Sequence, residues 1–142
     1  MLGKKDGLQR SYGNQALILK VWRRLEEAMA LHKKQEALCL QLGNKDGLQR
    51  SYGNQASILK ARGRLEEAMA LHKKHEALCL GLGNKGSLAH CYWTWGLLAR
   101  EQHDSNTERE KLTAALDIFT VLNMPRERDA VLAELEKTTI LS

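Results

Sequence analysis

The chain has 142 residues, of which 43% are apolar and 27% charged, with a formal charge of +5. That balance excludes intrinsic disorder; with only one Pro it also excludes a Pro-rich linker, and no run of about 18 apolar residues exists to span a membrane. Three cysteines without Cys-x-x-Cys spacing argue against a disulfide framework or zinc finger and suit a reducing cytoplasm, while the positive charge favours acidic partners without indicating nucleic acid.

The N-terminal Met1, Leu2, Gly3 and Lys4 carry no apolar core of a secretory signal. From Gly3 to Leu40 the chain reads almost as it does from Gly43 to Leu80: 32 of 38 aligned positions are identical at an offset of 40. A diverged third copy starts at Leu82, with Cys91, Tyr92 and Trp93 in the places of Ser51, Tyr52 and Gly53, and a half-copy starts near Leu122. A repeat of this length is one helical hairpin rather than a heptad seam or a β-helix coil.

Helices are predicted over 5–21, 24–41, 45–61, 64–81, 85–101, 106–122 and 125–139, giving units 3–42, 43–82 and 83–122 and a charged closing helix in one domain. In the first helix of each unit, Leu48, Tyr52, Ala56 and Leu59 fall at helical spacing. In the second, Leu65, Ala68, Leu71, His75, Leu78 and Leu82 make another stripe. Gly43, Gly63 and Gly83 suit left-handed helix ends. Ser105 to Glu108 reads as a capping box and Pro125 as a first-turn proline.

Copy one departs at its turn, where Val21, Trp22, Arg23 and Arg24 replace Ala61, Arg62, Gly63 and Arg64. Losing the glycine favours running the first two helices together, so the expectation is a hairpin that opens and exchanges helices in a swapped dimer. The chain also starts inside what would be an inter-repeat loop, without a capping element. This predicts a piece of a longer array, or a homodimer through the N-terminal repeat.

Some residues suggest chemistry. His72, His75 and Cys79 have a spacing that zinc can use, but no fourth ligand is indicated, and an interface role is expected. His90 and Cys91 are adjacent and so do not face each other as base and nucleophile. No phosphate loop, nucleophile elbow or paired catalytic carboxylates occur. The chain is therefore expected to be no enzyme and to need no cofactor or metal.

Gly63, Arg64, Leu65, Glu66, Glu67 and Ala68, and again Lys111 to Phe119, resemble the turn and second helix of the tetratricopeptide repeat. The length is similar to that family's extended 40–42-residue variant, as in kinesin light chains and bacterial tandem arrays. The resemblance implies an all-α, right-handed α-solenoid of antiparallel helix pairs that acts as a scaffold and binds a peptide or protein segment in a concave groove. Carried over, the groove presents Arg10, Asn14, Leu17 and Lys20, then Arg50, Asn54, Ser57 and Lys60, then His90, Thr94, Leu97 and Arg100, with Trp93 alongside. Such a basic ladder can hold an extended acidic peptide, with Asn amides on its backbone and Arg on its carboxylates. The competing readings are a plain solvated face, a self-associating structural array and single-stranded RNA binding, the last weakened by only 5% aromatic residues.

Overall fold

In a computed structural model the described residues, 7–15 and 24–141 with side chains through Thr138, are helical throughout except for short corners. Residues 7–15 form α1. The others are α2 Leu25–Leu42, α3 Lys45–Ala61, α4 Leu65–Leu82, α5 Lys85–Glu101, α6 Ser105–Val121 and α7 Pro125–Leu141. No strand occurs among the described residues, and no helix among them is long and apolar enough to cross a membrane. Leu17, Lys20 and the altered turn at Val21, Trp22 and Arg23 lie outside the described residues, as do Met1 and Leu2.

One corner design recurs. Gly43, Gly63 and Gly83 have φ of 66, 74 and 67°, and His103 and Asn123 take φ of 60 and 55° in the corresponding places. At each, the next amide reaches back five residues: Asn44 to Cys39 at 2.8 Å, Arg64 to Leu59 at 2.8 Å, Asn84 to Cys79 at 3.0 Å, Asp104 to Ala99 at 3.0 Å and Met124 to Phe119 at 2.9 Å. This is the Schellman ending, which satisfies carbonyls that the helix leaves over. At Gly43, Gly83 and His103 the following residue then caps the next helix. Asn44 Oδ1 accepts from the Gly47 amide at 2.9 Å and Asn84 Oδ1 from the Ser87 amide at 3.1 Å. In α6 the expected capping box does not form. Asp104 is the cap, accepting the Thr107 amide at 3.1 Å and the Thr107 hydroxyl at 2.6 Å. Glu108 is drawn inward instead, to Arg100.

The chain packs as two compact units, residues 1–78 and 79–142. In the first, Leu48, Tyr52, Ala56 and Leu59 of α3 are all buried, as their spacing predicts. Leu48 and Tyr52 join Cys39 of α2, and Leu71 and Leu78 of α4 pack against them. The expected stripe of the second helix is turned. Ala68 and His72 are the deeper positions, Leu65, Leu71, His75 and Leu78 are half-buried, and Leu82 is exposed. The same line in α2 is Ala28, His32, Gln35 and Cys39, so this interior is partly polar and is held by hydrogen bonds. Gln35 Nε2 donates to Gln9 Oε1 at 3.1 Å and Ser51 Oγ to the His32 carbonyl at 2.8 Å. Pairing of this kind offsets the cost of burying amides and hydroxyls.

The second unit has an apolar core of Ala89, Leu112, Ala115, Phe119 and Val131, flanked by Tyr92, Trp93, Leu116, Ile118, Met124 and Leu135. These residues join α5, α6 and α7.

Candidate functional site

Among the described residues, the first unit holds a cavity of about 460 Å³. Its walls are Arg10, Gly13 and Asn14 of α1 and Asp46, Arg50 and Asn54 of α3, with Gln35 of α2 between them. Asp46, Arg50 and Asn54 stand four residues apart, on the side of α3 away from its buried leucines. Arg10 and Asn14 are the same residues one repeat earlier. Two identical Arg–Asn pairs therefore face one cavity.

Gln35 is held still. Its Oε1 accepts from His32 Nδ1 at 3.3 Å, and its Nε2 donates to Gln9 Oε1, which also accepts from the Cys39 thiol at 3.4 Å. A Cβ at Gly13 would lie 2.8 Å from Gln35 Nε2, so the absence of a side chain there lets α1 and α2 close on each other. Asp46 accepts from Gln49 Nε2 at 2.9 Å and lies 3.7 Å from the Arg50 guanidinium. The Arg50 side chain remains 57% exposed. With two guanidiniums and one carboxylate the wall is net positive. Its chemistry is that of an anion-accepting polar cleft: forked N–H donors for carboxylates and Asn amides that both donate and accept.

No protein-family model matches the sequence, and no curated protein matches it. Solved structures do match. BtubC (BKLC) from P. vanneervenii superposes with a TM-score of 0.74 over 96% of this chain, at 14% identity; the chain spans 65% of the length of that protein. The TPR domain of Arabidopsis FLU superposes with a TM-score of 0.53 over 94% of this chain and 98% of its own, at 19% identity. The chain has a tetratricopeptide-like repeat fold. It is an all-α solenoid type built from helix pairs, as the 40-residue duplication implies.

Within this tetratricopeptide-like frame the expected groove residues divide. Arg10, Asn14, Arg50 and Asn54 come together in the cavity, whereas Ser57 and Lys60 lie farther along α3 outside its wall. Lys20 falls outside the described residues. In the second unit the expected places do other work. Thr94 turns its hydroxyl back onto the His90 and Cys91 carbonyls at 3.0 and 3.1 Å. Trp93 is half-buried at the margin of the core, stacked on His90 at 5.9 Å and edge-on to Phe119 at 6.1 Å. Trp95 is buried, with the Lys111 ammonium 4.0 Å from its ring centre. Arg100 is engaged by Glu108 at 2.8 Å and Glu134 at 2.7 Å.

Asp46, Gly13 and Gln35 were missed by the sequence reading. Asp46 had a local signal, one helical turn before Arg50; Gly13 and Gln35 become wall residues only through packing. The histidine and cysteine pattern is interior. His72 is buried and its pKa is lowered to about 4, chiefly by burial, then by His75 and Lys60. Burial pushes the Cys79 thiol up to about 11. Among the described residues, no group of three or more His, Cys, Asp or Glu side chains is placed to hold a metal ion. Cys91 is buried while His90 is exposed, so the two do not form a nucleophile and its base.

Proposed function

We propose that the chain is a non-enzymatic interaction scaffold, a single repeat domain whose α1–α2–α3 cavity takes an extended acidic segment of a partner protein. The observation that carries this reading is the pair of repeated Arg–Asn sets, Arg10 with Asn14 and Arg50 with Asn54, facing one cavity. The arginines fork onto side-chain carboxylates and the asparagines hold the peptide backbone. Cys39, Cys79 and Cys91 are buried thiols outside any disulfide, which supports a cytoplasmic setting.

A fluorescent peptide rich in Glu and Asp is the probe, titrated into the full chain at two salt concentrations. Arg50→Ala and Arg10→Ala each weaken binding by about tenfold, the worth of one charge-assisted contact. Lys60→Ala leaves it unchanged. Equal affinity in all three variants removes the cavity from the account. Tighter binding of single-stranded RNA than of the peptide, falling steeply with salt, assigns the basic wall to nucleic acid instead.

A further inference from the structure

A second opening lies in the first unit, over α3 between α2 and α4, and encloses about 260 Å³. It shares no residue with the Arg–Asn cavity. Its floor is apolar: Met29 and Leu59 are buried and Leu71 is half-buried. Lys33 of α2 and Lys74 of α4 stand on its walls, both exposed. The other ions at its rim cancel, since Arg64 donates to Glu67 through two nitrogens at 3.0 and 2.7 Å. Among the described residues no carboxylate pairs with Lys33 or Lys74, so two uncompensated positive charges stand over the apolar floor.

The third repeat shows how the chain itself fills the equivalent place. At the 40-residue offset Gln55 corresponds to Trp95, Leu71 to Lys111 and Tyr52 to Tyr92. In the second unit the Lys111 ammonium lies over two rings, 4.0 Å from the centre of Trp95 and 4.9 Å from that of Tyr92. Trp95 is buried, and the Lys111 side chain is only 16% exposed. In the first unit the cation comes from Lys74, one turn later on α4, and lies 5.8 Å from the Tyr52 ring. Gln55 stands where the second unit has its indole, and its amide donates to Ser51 Oγ at 3.1 Å. The first unit thus keeps the cation and one ring of the pattern, with an opening beside Gln55 in place of the second ring.

We propose that this opening binds a small aryl carboxylate, a ligand of one or two fused rings with its acid on a short chain. The ring rests on Met29, Leu59 and Leu71, and the ammonium groups of Lys33 and Lys74 take the carboxylate. The ring gains from leaving water and from a cation beside its face, as Trp95 does from Lys111. Size follows from volume: drug-sized ligands fill about 300–1,000 Å³, so this smaller opening matches a single bicyclic ring.

The probe is indolepropionate, titrated into the full chain carrying ¹³C at its methionine and leucine methyl groups. The expected result is saturable shifts of Met29, Leu59 and Leu71 with a dissociation constant of about 1 mM or lower, the range open to so few atoms. Lys33→Gln and Lys74→Gln, both surface changes, should each weaken binding about twofold to fivefold. Indolepropionamide, which keeps the ring and lacks the charge, should lose at least as much as either variant. Leu71→Lys, which sets the residue of the third repeat on the floor, should abolish the shifts at Met29 and Leu59. Should that variant fail to fold, the two lysine variants decide. Shifts that do not saturate at tenfold the expected constant overturn the proposal, as does an amide that binds as tightly as the acid, or unchanged affinity in both lysine variants. Loss of binding in Arg50→Ala but in neither lysine variant moves the anion to the Arg–Asn cavity and also overturns it.

Discussion

Arg100 and Glu134 are bonded twice: one guanidinium nitrogen donates to the Glu134 carboxylate at 2.7 Å and another to its main-chain carbonyl at 3.0 Å. The third nitrogen of the same fork donates to Glu108 Oε2 at 2.8 Å, and the Thr138 hydroxyl donates to that oxygen as well. One arginine of α5 thereby ties α6 to α7. Burial works against its charge, but the hydrogen bonds and charges of Glu108 and Glu134 outweigh this and hold its pKa above the ordinary value.

Arg100→Ala should therefore be severe, because it leaves the Glu108 carboxylate buried without a counter-charge. Losses of about 3–5 kcal/mol are typical when one partner of a buried pair is removed. Glu134→Gln keeps the carbonyl contact and should cost about 1 kcal/mol. Urea unfolding at neutral pH separates the two. Arg10→Ala, on an exposed face, should stay within about 0.5 kcal/mol of the parent. If Arg100→Ala is equally mild, the ion cluster is not what holds α7.

Acid should weaken the fold before its carboxylates titrate. The folded His72 has a pKa of about 4, lowered by burial, by His75 and by Lys60, against an ordinary value near 6.5. The unfolded chain therefore binds the extra proton first. The stability tied to neutral His72 is complete above about pH 6.5 and drains as the pH falls toward 4, by about 3 kcal/mol in all. Glu134, whose pKa is lowered because its bonds to Arg100 and Lys137 outweigh the effect of burial, adds a loss in the same direction only at lower pH. Denaturant midpoints for the parent and His72→Asn at pH 7, 5.5 and 4.5 check this. The slope between the first two should flatten in the variant.

The corners offer a gain. His103 and Asn123 hold positive φ that Gly43, Gly63 and Gly83 adopt without strain. His103→Gly and Asn123→Gly should each stabilise the chain by about 0.5–1 kcal/mol, and Gly63→Ala should cost about 1 kcal/mol. Thermal unfolding of the three variants tests the shared geometry, and a loss on introducing glycine at position 103 would contradict it.

Repeat length, helix pairing, the glycine corners and the α3 stripe were legible because each depends on local spacing or on a residue with a backbone signature. The α4 stripe of Leu65, Ala68, Leu71, His75, Leu78 and Leu82 was legible only in part. The deeper positions are Ala68 and His72, which hydrophobicity alone does not single out. The cavity was half legible. Equivalent residues on α1 and α3 could be paired by the 40-residue offset, but that Gln35 would close its base depended on the Gln9 amide across the interface. The partners of Arg100 were not legible, because Glu108 and Glu134 are on other helices and nothing local to α5 announces them.

Two glycines inside helices should respond to alanine with opposite signs. At Gly53 a Cβ would meet His75 Cε1 at 3.5 Å, an ordinary contact. Gly53→Ala therefore gains the helix propensity of alanine, about 1 kcal/mol, without strain. At Gly96 a Cβ would lie 2.7 Å from Leu112 Cγ and 3.3 Å from the Glu108 carbonyl oxygen. Leu112 is fully buried in the α5–α6–α7 core and the Glu108 backbone is fixed within α6, so neither can easily yield. Overpacking of this kind costs about 1–3 kcal/mol, more than the propensity gain returns. Gly96→Ala should lower the urea midpoint and Gly53→Ala should raise it. Leu112→Ala removes both crowding atoms, Cγ and Cδ2, so the double variant Gly96→Ala with Leu112→Ala should lose less stability than the sum of the two single changes; a double variant weaker than that sum would show that the close approach at Gly96 is not what limits the packing.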